Sequence, residues 1–208
     1  MKNENAHRRR DLRDNDYRFK NLSQMSMEHV SLNYSNLNSI QANRKSFIGS
    51  SMVKTDFGRA ELDRANFSNC KLVHTNFRLA SLNECAFKSS RILDTNFRNL
   101  SIWKSSFENA KFESLSFLNS DLDKSNFKKV YARNCSFQKA KMRNCNFENG
   151  DFNRCNFYKT DLKGSNMKGA NFELTNLEDA NLEGVIINKE TKLPFSFIKA
   201  TELGMILK

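Results

Sequence analysis

The stretch from Ala170 to Gly184 reads Ala-Asn-Phe-Glu-Leu, Thr-Asn-Leu-Glu-Asp, Ala-Asn-Leu-Glu-Gly. In each unit of five, a small residue and an Asn precede a large apolar residue, which we call the centre, and two permissive positions follow. The phase continues upstream: every fifth residue from Phe47 to Ile187 is apolar, at 29 of 29 positions, and 15 of these are Phe. Between Ser50 and Val185, the residue two places before each centre is Ala, Cys, Ser, Thr, Val or Gly in 26 of 28 units.

The period of five excludes the regular elements. A helix needs an apolar spacing near 3.6 residues and a strand a spacing of about 2. Each unit is therefore predicted to be a short extended piece followed by a turn. The position before the centre is Asn or Asp in 14 of 28 units, and both residues favour turns through side-chain bonds to nearby backbone. An unbroken repeat of this kind predicts a stacked solenoid.

At these residues the chain resembles the pentapeptide-repeat proteins, whose motif is A(D/N)LXX. The resemblance implies an all-β fold, a right-handed quadrilateral β-helix with four units in each coil. Phe also recurs at every tenth residue from Phe47 to Phe157. Ten residues span two of four faces, so we expect Phe to fill two opposite inner columns and smaller residues the other two.

Three regions are predicted: a basic N-terminal arm or cap at 1–24, the β-helix at 25–187, and a C-terminal cap at 188–208. Arg10, Asn15 and Lys20 fall on small inward positions, where a buried, unpaired charge would be costly, so we place the first coil near residue 25. The run Arg8–Arg10 could contact phosphates, or it could be a solvated terminus. Lys45 also falls on an inward position, and we expect it to turn outward from a distorted face.

The segment after Ile187 holds the only proline, Pro194. Because proline is favoured in a first helical turn, a short helix is expected to cover the open edge of the last coil. The last part of this C-terminal segment, Ala200–Ile206, is similar to the dimerisation segment of quinolone-resistance (Qnr-type) pentapeptide proteins. The resemblance implies a homodimer. The candidate dimer interface consists of Phe195, Phe197, Ile198, Leu203, Met205, Ile206 and Leu207.

Residues that follow the centres at intervals of twenty should form outward columns. The column Lys88, Glu108, Lys128, Glu148, Lys168 predicts a ladder of ion pairs with a structural role. The column Val53, Val73, Leu93, together with Trp103, is a candidate protein-binding stripe; the alternative is scattered surface hydrophobes.

The net charge is +11, and residues 101–150 carry nine Lys and Arg against five Asp and Glu. A basic belt in this region could contact nucleic acid or an acidic protein surface, or it could be a solvated coat. Its members are Lys124, Lys128, Lys129, Arg133, Lys139, Lys141 and Arg143.

Catalytic chemistry has no signature in the sequence. The three histidines are far apart, and no glycine-rich phosphate loop or nucleophile elbow is present. All five cysteines occupy inward small positions, where they are interpreted as small buried hydrophobes rather than as disulfides or metal ligands. We therefore expect no enzyme activity, no metal and no cofactor. With neither a secretory signal nor a membrane-spanning apolar run, the expected location is the cytoplasm.

Three functions remain open. The first is a non-catalytic scaffold that binds another protein. The second follows from the resemblance: some pentapeptide-repeat proteins imitate duplex DNA, bind DNA gyrase and topoisomerase IV, and protect them from quinolones or toxins. A charge of +11 opposes that mimicry, which needs an acidic surface, and the uninterrupted register lacks the projecting loops of Qnr-type members. The third is nucleic-acid binding through the basic belt.

Overall fold

The computed structural model describes residues 10–20, 22 and 24–208. The chain coils into a parallel β-solenoid of about ten turns, in which nearly every pairing joins residues twenty apart. The elements in chain order are β1 Arg10–Asp11, β2 Val30–Ser31, β3 Ser51–Val53, β4 Lys71–Val73, β5 Arg91–Leu93, β6 Lys111–Glu113, β7 Tyr131–Arg133, β8 Ile186–Ile187, α1 Phe197–Glu202 and β9 Ile206–Leu207.

Each coil has four faces, which we number by their centres. Face 1 holds Leu72 and every twentieth centre, and faces 2, 3 and 4 follow at steps of five residues. Strands β1 to β7 form one parallel sheet on face 1 in sequence order. Isolated parallel bridges, such as Asn76 with Asn96 on face 2 and Asn126 with Asn146 on face 4, connect the coils on the other faces.

The corners explain the two permissive positions and the preceding Asn or Asp. At a typical corner the Ala60 N–H donates to the carbonyl oxygen of the centre Phe57, at 3.1 Å. Of the two residues between them, the second, Arg59, has a φ of 57°, as the third position of a type II turn requires. Before the centre, a side chain such as Asn66 accepts the N–H two residues later through its Oδ1, at 3.0 Å. The Asn or Asp thus fixes the start of the turn.

The interior is filled by two opposite columns of phenylalanine, as expected. On face 4, Phe87 stacks on Phe107 with ring centroids 5.1 Å apart, and on face 2, Phe97 stacks on Phe117 at 4.9 Å. Rings of the two columns meet edge to face, as Phe107 and Phe117 do at 6.0 Å and 80°. These rings are fully buried, so in the described coils they occupy the space between the faces.

Small polar residues at the inward position tie neighbouring coils together. The Thr75 hydroxyl donates to the carbonyl oxygen of Met52 in the preceding coil at 2.7 Å, and Ser90 does the same to Phe67 at 2.6 Å. Lys45 also occupies an inward position and makes the same kind of bond, because its Nζ donates to the carbonyl oxygen of Leu22 in the preceding coil. The expectation that Lys45 turns outward from a distorted face is therefore wrong: the ammonium takes the place of a hydroxyl.

The N-terminal boundary also differs from the prediction. Strand β1 pairs with β2, Arg10 opposite Val30, and Asp16 pairs with Asn36, so residues 10–20 already belong to the coil. The predicted start near residue 25 is wrong for this segment, because Arg10, Asn15 and Lys20 at its small positions are exposed, while the centre Tyr17 is buried. Arg10 there donates to the carbonyl oxygen of Ser26. The other residues of the predicted arm, 1–9, 21 and 23, lie outside the described residues.

A short helix follows the last coil, as predicted, but it begins at Phe197, so Pro194 lies before its first turn rather than in it. The Ser196 Oγ accepts the Lys199 N–H at 3.2 Å and caps the start of α1, and Ala200 is fully buried. Strand β9 then pairs in parallel with β8, Ile186 opposite Ile206, and continues the ladder of face 4.

Candidate protein-binding surfaces

The aliphatic part of the predicted stripe is one continuous column on face 1. Val53 pairs in register with Val73, and Val73 with Leu93, on strands β3, β4 and β5. Trp103 does not join them. It lies ten residues beyond Leu93, which is two faces away, on face 3, where the Lys104 Nζ sits 4.7 Å from the ring centroid. The stripe therefore consists of Val53, Val73 and Leu93 without Trp103.

The predicted basic belt does not form a single surface. Its residues follow the coil around all four faces, with Lys128 on face 4, Arg133 on face 1 and Arg143 on face 3. Several members are held by acids of the next or preceding coil: Lys128 pairs with Glu148 at 3.0 Å. A flat polyanion would reach only a minority of the belt at once.

The belt arginines are ion-paired. Arg133 lies 2.8 Å from Asp151, and the Arg143 Nε lies 2.8 Å from Asp123. In each case the hydrogen bond to the carboxylate raises the pKa of the guanidinium above its ordinary value. Burial alone would raise the pKa of Asp151, but its hydrogen bonds with Arg133 and the Asn153 N–H bring that pKa below the usual value.

The predicted ion ladder on face 4 is a set of separate pairs. Lys88 lies 3.4 Å from Glu108 and Lys128 3.0 Å from Glu148. Face 3 follows the same rule, with Arg64 3.1 Å from Glu84. Opposite charges thus face each other across coils on these two faces, which is the arrangement that stabilises stacked strands.

Face 1 carries a column of cations that the sequence reading missed. Lys71 pairs in register with Arg91, and Arg91 with Lys111. All three side chains are exposed, and within the described ranges none of them forms an ion pair. The sequence signal for this column is a cation before the centre at three successive intervals of twenty residues.

The cation column leads into a shallow depression. Its volume is about 370 Å³, and Arg91, Lys111, Tyr131 and Arg133 are among its lining residues. The Arg133 guanidinium lies over the Tyr131 ring at 3.8 Å, which holds it at the rim. The depression is open, in keeping with a docking surface rather than an enclosed active site.

The C-terminal end presents most, but not all, of the predicted dimer residues. Ile198 is 75% exposed and Leu207 is 49% exposed, and Phe197, Leu203 and Ile206 are also exposed. Met205 is a correction, because only 4% of it is accessible; it packs into the core and cannot face a partner. Phe195 is half-buried against the same core.

All five cysteines are buried, and none of them forms a disulfide. Burial raises the pKa of Cys85 and Cys145, and the Cys85 Sγ donates to the Leu62 carbonyl oxygen at 3.0 Å, as the inward hydroxyls do. In the described part of the chain, no group of His, Cys, Asp or Glu is placed to hold a metal ion. No helix there is long and apolar enough to cross a membrane.

Comparison with known families identifies the class. The family model described as "Pentapeptide repeat region" matches residues 20–97 and 60–137, and the model "Pentapeptide repeats (8 copies)" matches residues 151–188. Together they cover most of the chain, which therefore belongs to the pentapeptide-repeat family. No curated protein matches the sequence significantly.

Solved structures share the fold. A trypsin-treated variant of QnrB1, a plasmid-mediated fluoroquinolone resistance protein, superimposes with a TM-score of 0.77 at 17% identity, over 86% of this chain and 91% of that one. HetL, a pentapeptide-repeat protein involved in heterocyst differentiation regulation in the cyanobacterium Nostoc sp. strain PCC 7120, gives a TM-score of 0.49 at 16% identity, over 88% and 82%.

Proposed function

We propose that this protein is a non-catalytic scaffold that works by presenting its outer faces to a partner protein. The observation that carries the proposal is the filled interior: stacked phenylalanines occupy the space between the faces, so recognition is left to the outward columns. Face 1 is the best-suited surface because the column Val53, Val73, Leu93 is apolar and continuous.

A capture experiment with matched baits tests this function. The purified protein is immobilised beside a Val73→Ser/Leu93→Ser variant, a Val73→Ser variant and a Leu79→Ser control, whose leucine is 62% exposed on face 2. A partner kept by the control and lost from the face 1 variants supports the proposal. Equal retention by all four baits would rule out face 1 as the docking surface.

We further propose that the protein acts in the cytoplasm as a homodimer joined through its C-terminal end. The exposed side chains of Phe197, Ile198 and Leu207 form an apolar end surface larger than the cap itself needs. Strand β9 is paired in the described structure only with β8, so its outer edge is available to a second copy.

A topoisomerase-directed role is the second candidate, and the fold shared with the QnrB1 variant favours it. The net charge of +11 is opposed to the mimicry of duplex DNA, so binding would have to use an acidic region of the enzyme. The test is gyrase supercoiling with and without ciprofloxacin across a titration of the purified protein. Protection at low micromolar protein would support this role; supercoiling unchanged by the folded protein would exclude it.

Nucleic-acid binding through the basic belt is the least supported of the three functions. The belt winds around every face, and three of its members are ion-paired with acids.

A further inference from the structure

The cation column on face 1 differs from the ion-paired positions of faces 3 and 4. There, Arg64 pairs with Glu84, Lys88 with Glu108 and Lys128 with Glu148 across neighbouring coils. Lys71, Arg91 and Lys111 instead stack cation on cation in register. Like charges placed directly opposite each other across strands are destabilising. A local arrangement that opposes folding is the kind of departure expected at a functional site.

Two columns of different chemistry run side by side on this face. On β4, Lys71 and Val73 flank the buried centre Leu72, and on β5, Arg91 and Leu93 flank Ile92. The flanking side chains of one strand are two residues apart, roughly 6.6 Å, and both point outward. The result is a cationic column beside an aliphatic column, both parallel to the axis of the solenoid.

We propose that these paired columns bind an acidic amphipathic helix of the partner protein. Successive strands place a cation about every 4.8 Å along the axis, and a helix lying along that axis rises about 5.4 Å in each turn. Carboxylates one turn apart would meet Lys71, Arg91 and Lys111, while the neighbouring apolar stripe of the helix covers Val53, Val73 and Leu93. The inference rests on the proposed protein-binding function and names the chemistry of the partner.

The ends of the surface define its length. The aliphatic column stops at Glu113 and the cationic column at Tyr131, which pair in register with Leu93 and Lys111 respectively. At that end, Arg91 and Lys111 line the depression together with Glu113 and with Arg133, which is paired with Asp151. Asp94, another acid of this face, lies at the corner, 3.8 Å from His74.

A nucleic acid fits the surface less well. Its backbone would bring phosphates to the cations, but it has nothing to cover the aliphatic column, whose burial favours a polypeptide with apolar side chains. Among the described residues, Trp103, Tyr131 and Tyr158 lie on three different faces and offer no platform on which bases could stack.

The test measures binding of fluorescein-labelled helical peptides by anisotropy. One peptide carries Glu and Leu in neighbouring stripes, the second has Gln for Glu, and the third has Gln for Leu; an oligothymidylate is the fourth probe. Arg91→Glu/Lys111→Glu is compared with Arg78→Glu/Arg98→Glu, which makes the same charge change at two stacked exposed arginines on face 2. There the adjacent outward column carries Asn76 and Asn96 rather than aliphatic residues.

We expect the Glu/Leu peptide to bind most tightly. The Arg91→Glu/Lys111→Glu variant should lower its affinity about tenfold, while Arg78→Glu/Arg98→Glu should change the affinity by less than about twofold. Arg91→Gln should also raise the melting temperature, because it relieves the stacked repulsion. Equal losses in both double variants, or tighter binding of the oligothymidylate at face 1, would overturn the proposal. If the Glu/Leu peptide does not bind but the Val73→Ser/Leu93→Ser bait still loses its partner, the helix proposal fails and the scaffold function stands.

Discussion

Replacing Phe107 by Ala tests the interior on which the whole solenoid depends. The Phe107 ring is fully buried and stacks between Phe87 and Phe127, at 5.1 Å from each. It also meets Phe112 edge to face at 5.4 Å. The four faces around it are held by hydrogen bonds between coils, so they cannot move inward to fill the cavity that Phe107→Ala creates.

The magnitude follows from two terms. Removing roughly 100 Å² of buried apolar surface at about 25 cal/mol per Å² costs about 2.5 kcal/mol. A remaining cavity of roughly 80 Å³ at about 24 cal/mol per Å³ adds about 2 kcal/mol. We therefore expect the free energy of unfolding to fall by about 4 to 5 kcal/mol, within the range known for core Phe truncations.

Urea unfolding measures this loss, followed by far-UV circular dichroism and by the fluorescence of Trp103, the only tryptophan. Coincidence of the two transitions establishes two-state behaviour, and an unchanged m-value assigns the shift to stability. The control is Leu79→Ala, a residue 62% exposed, with an expected change below about 0.5 kcal/mol. If Phe107→Ala shifts the midpoint no more than Leu79→Ala does, the assignment of Phe107 to the interior is refuted.

Three further predictions address the surface, the C-terminal end and the thiols. The pKa of Asp151 is lowered in the folded state, so its contribution to the free energy of unfolding is present at neutral pH and is lost as the pH falls below the ordinary pKa of 3.8. In Asp151→Asn, the melting temperature should therefore fall less steeply as the pH is lowered through this range. An unchanged fall would contradict the pairing of Asp151 with Arg133. Ile198→Asp should leave the fold intact and convert dimer to monomer in analytical ultracentrifugation, and a dimer that persists would exclude this end as the interface. The five buried thiols should fail to react with an aromatic disulfide reagent until urea unfolds the chain, and rapid labelling of native protein would show that the inward positions are open.

The repeat determined which side of the chain is inside, and it did so with few errors. Phe107 and Phe117 could be assigned to opposite inner columns because a strict period of ten has one geometric meaning once four units close a coil. The errors arose where a side chain is long. Lys45 was expected to turn outward, but its four-carbon stem lets the ammonium reach the Leu22 carbonyl oxygen, which no rule about residue size anticipates.

The start of the solenoid was misjudged for a related reason. Arg10 and Lys20 were taken to be incompatible with an inward register, which holds only where a coil lies on both sides. At the first coil the same positions face solvent, so charge there carries little penalty. Likewise, Met205 was expected at the dimer interface because it belongs to the apolar C-terminal segment, but the turn after α1 places its side chain against the last coil.

The sequence by itself determined the class of fold, the inward residues and the absence of a cofactor motif, since each depends only on local spacing. Which outward side chains meet depends on the closure of four units into a coil, a tertiary feature that local spacing does not contain and that the sequence supplies only through the family resemblance. Lys71, Arg91 and Lys111 are twenty residues apart and become neighbours only because four turns bring the chain back onto the same face. Trp103 and Leu93, ten residues apart, are placed on opposite faces by the same closure. Surface recognition depends on these distances across coils, and a one-dimensional pattern does not contain them until the size of the coil is fixed.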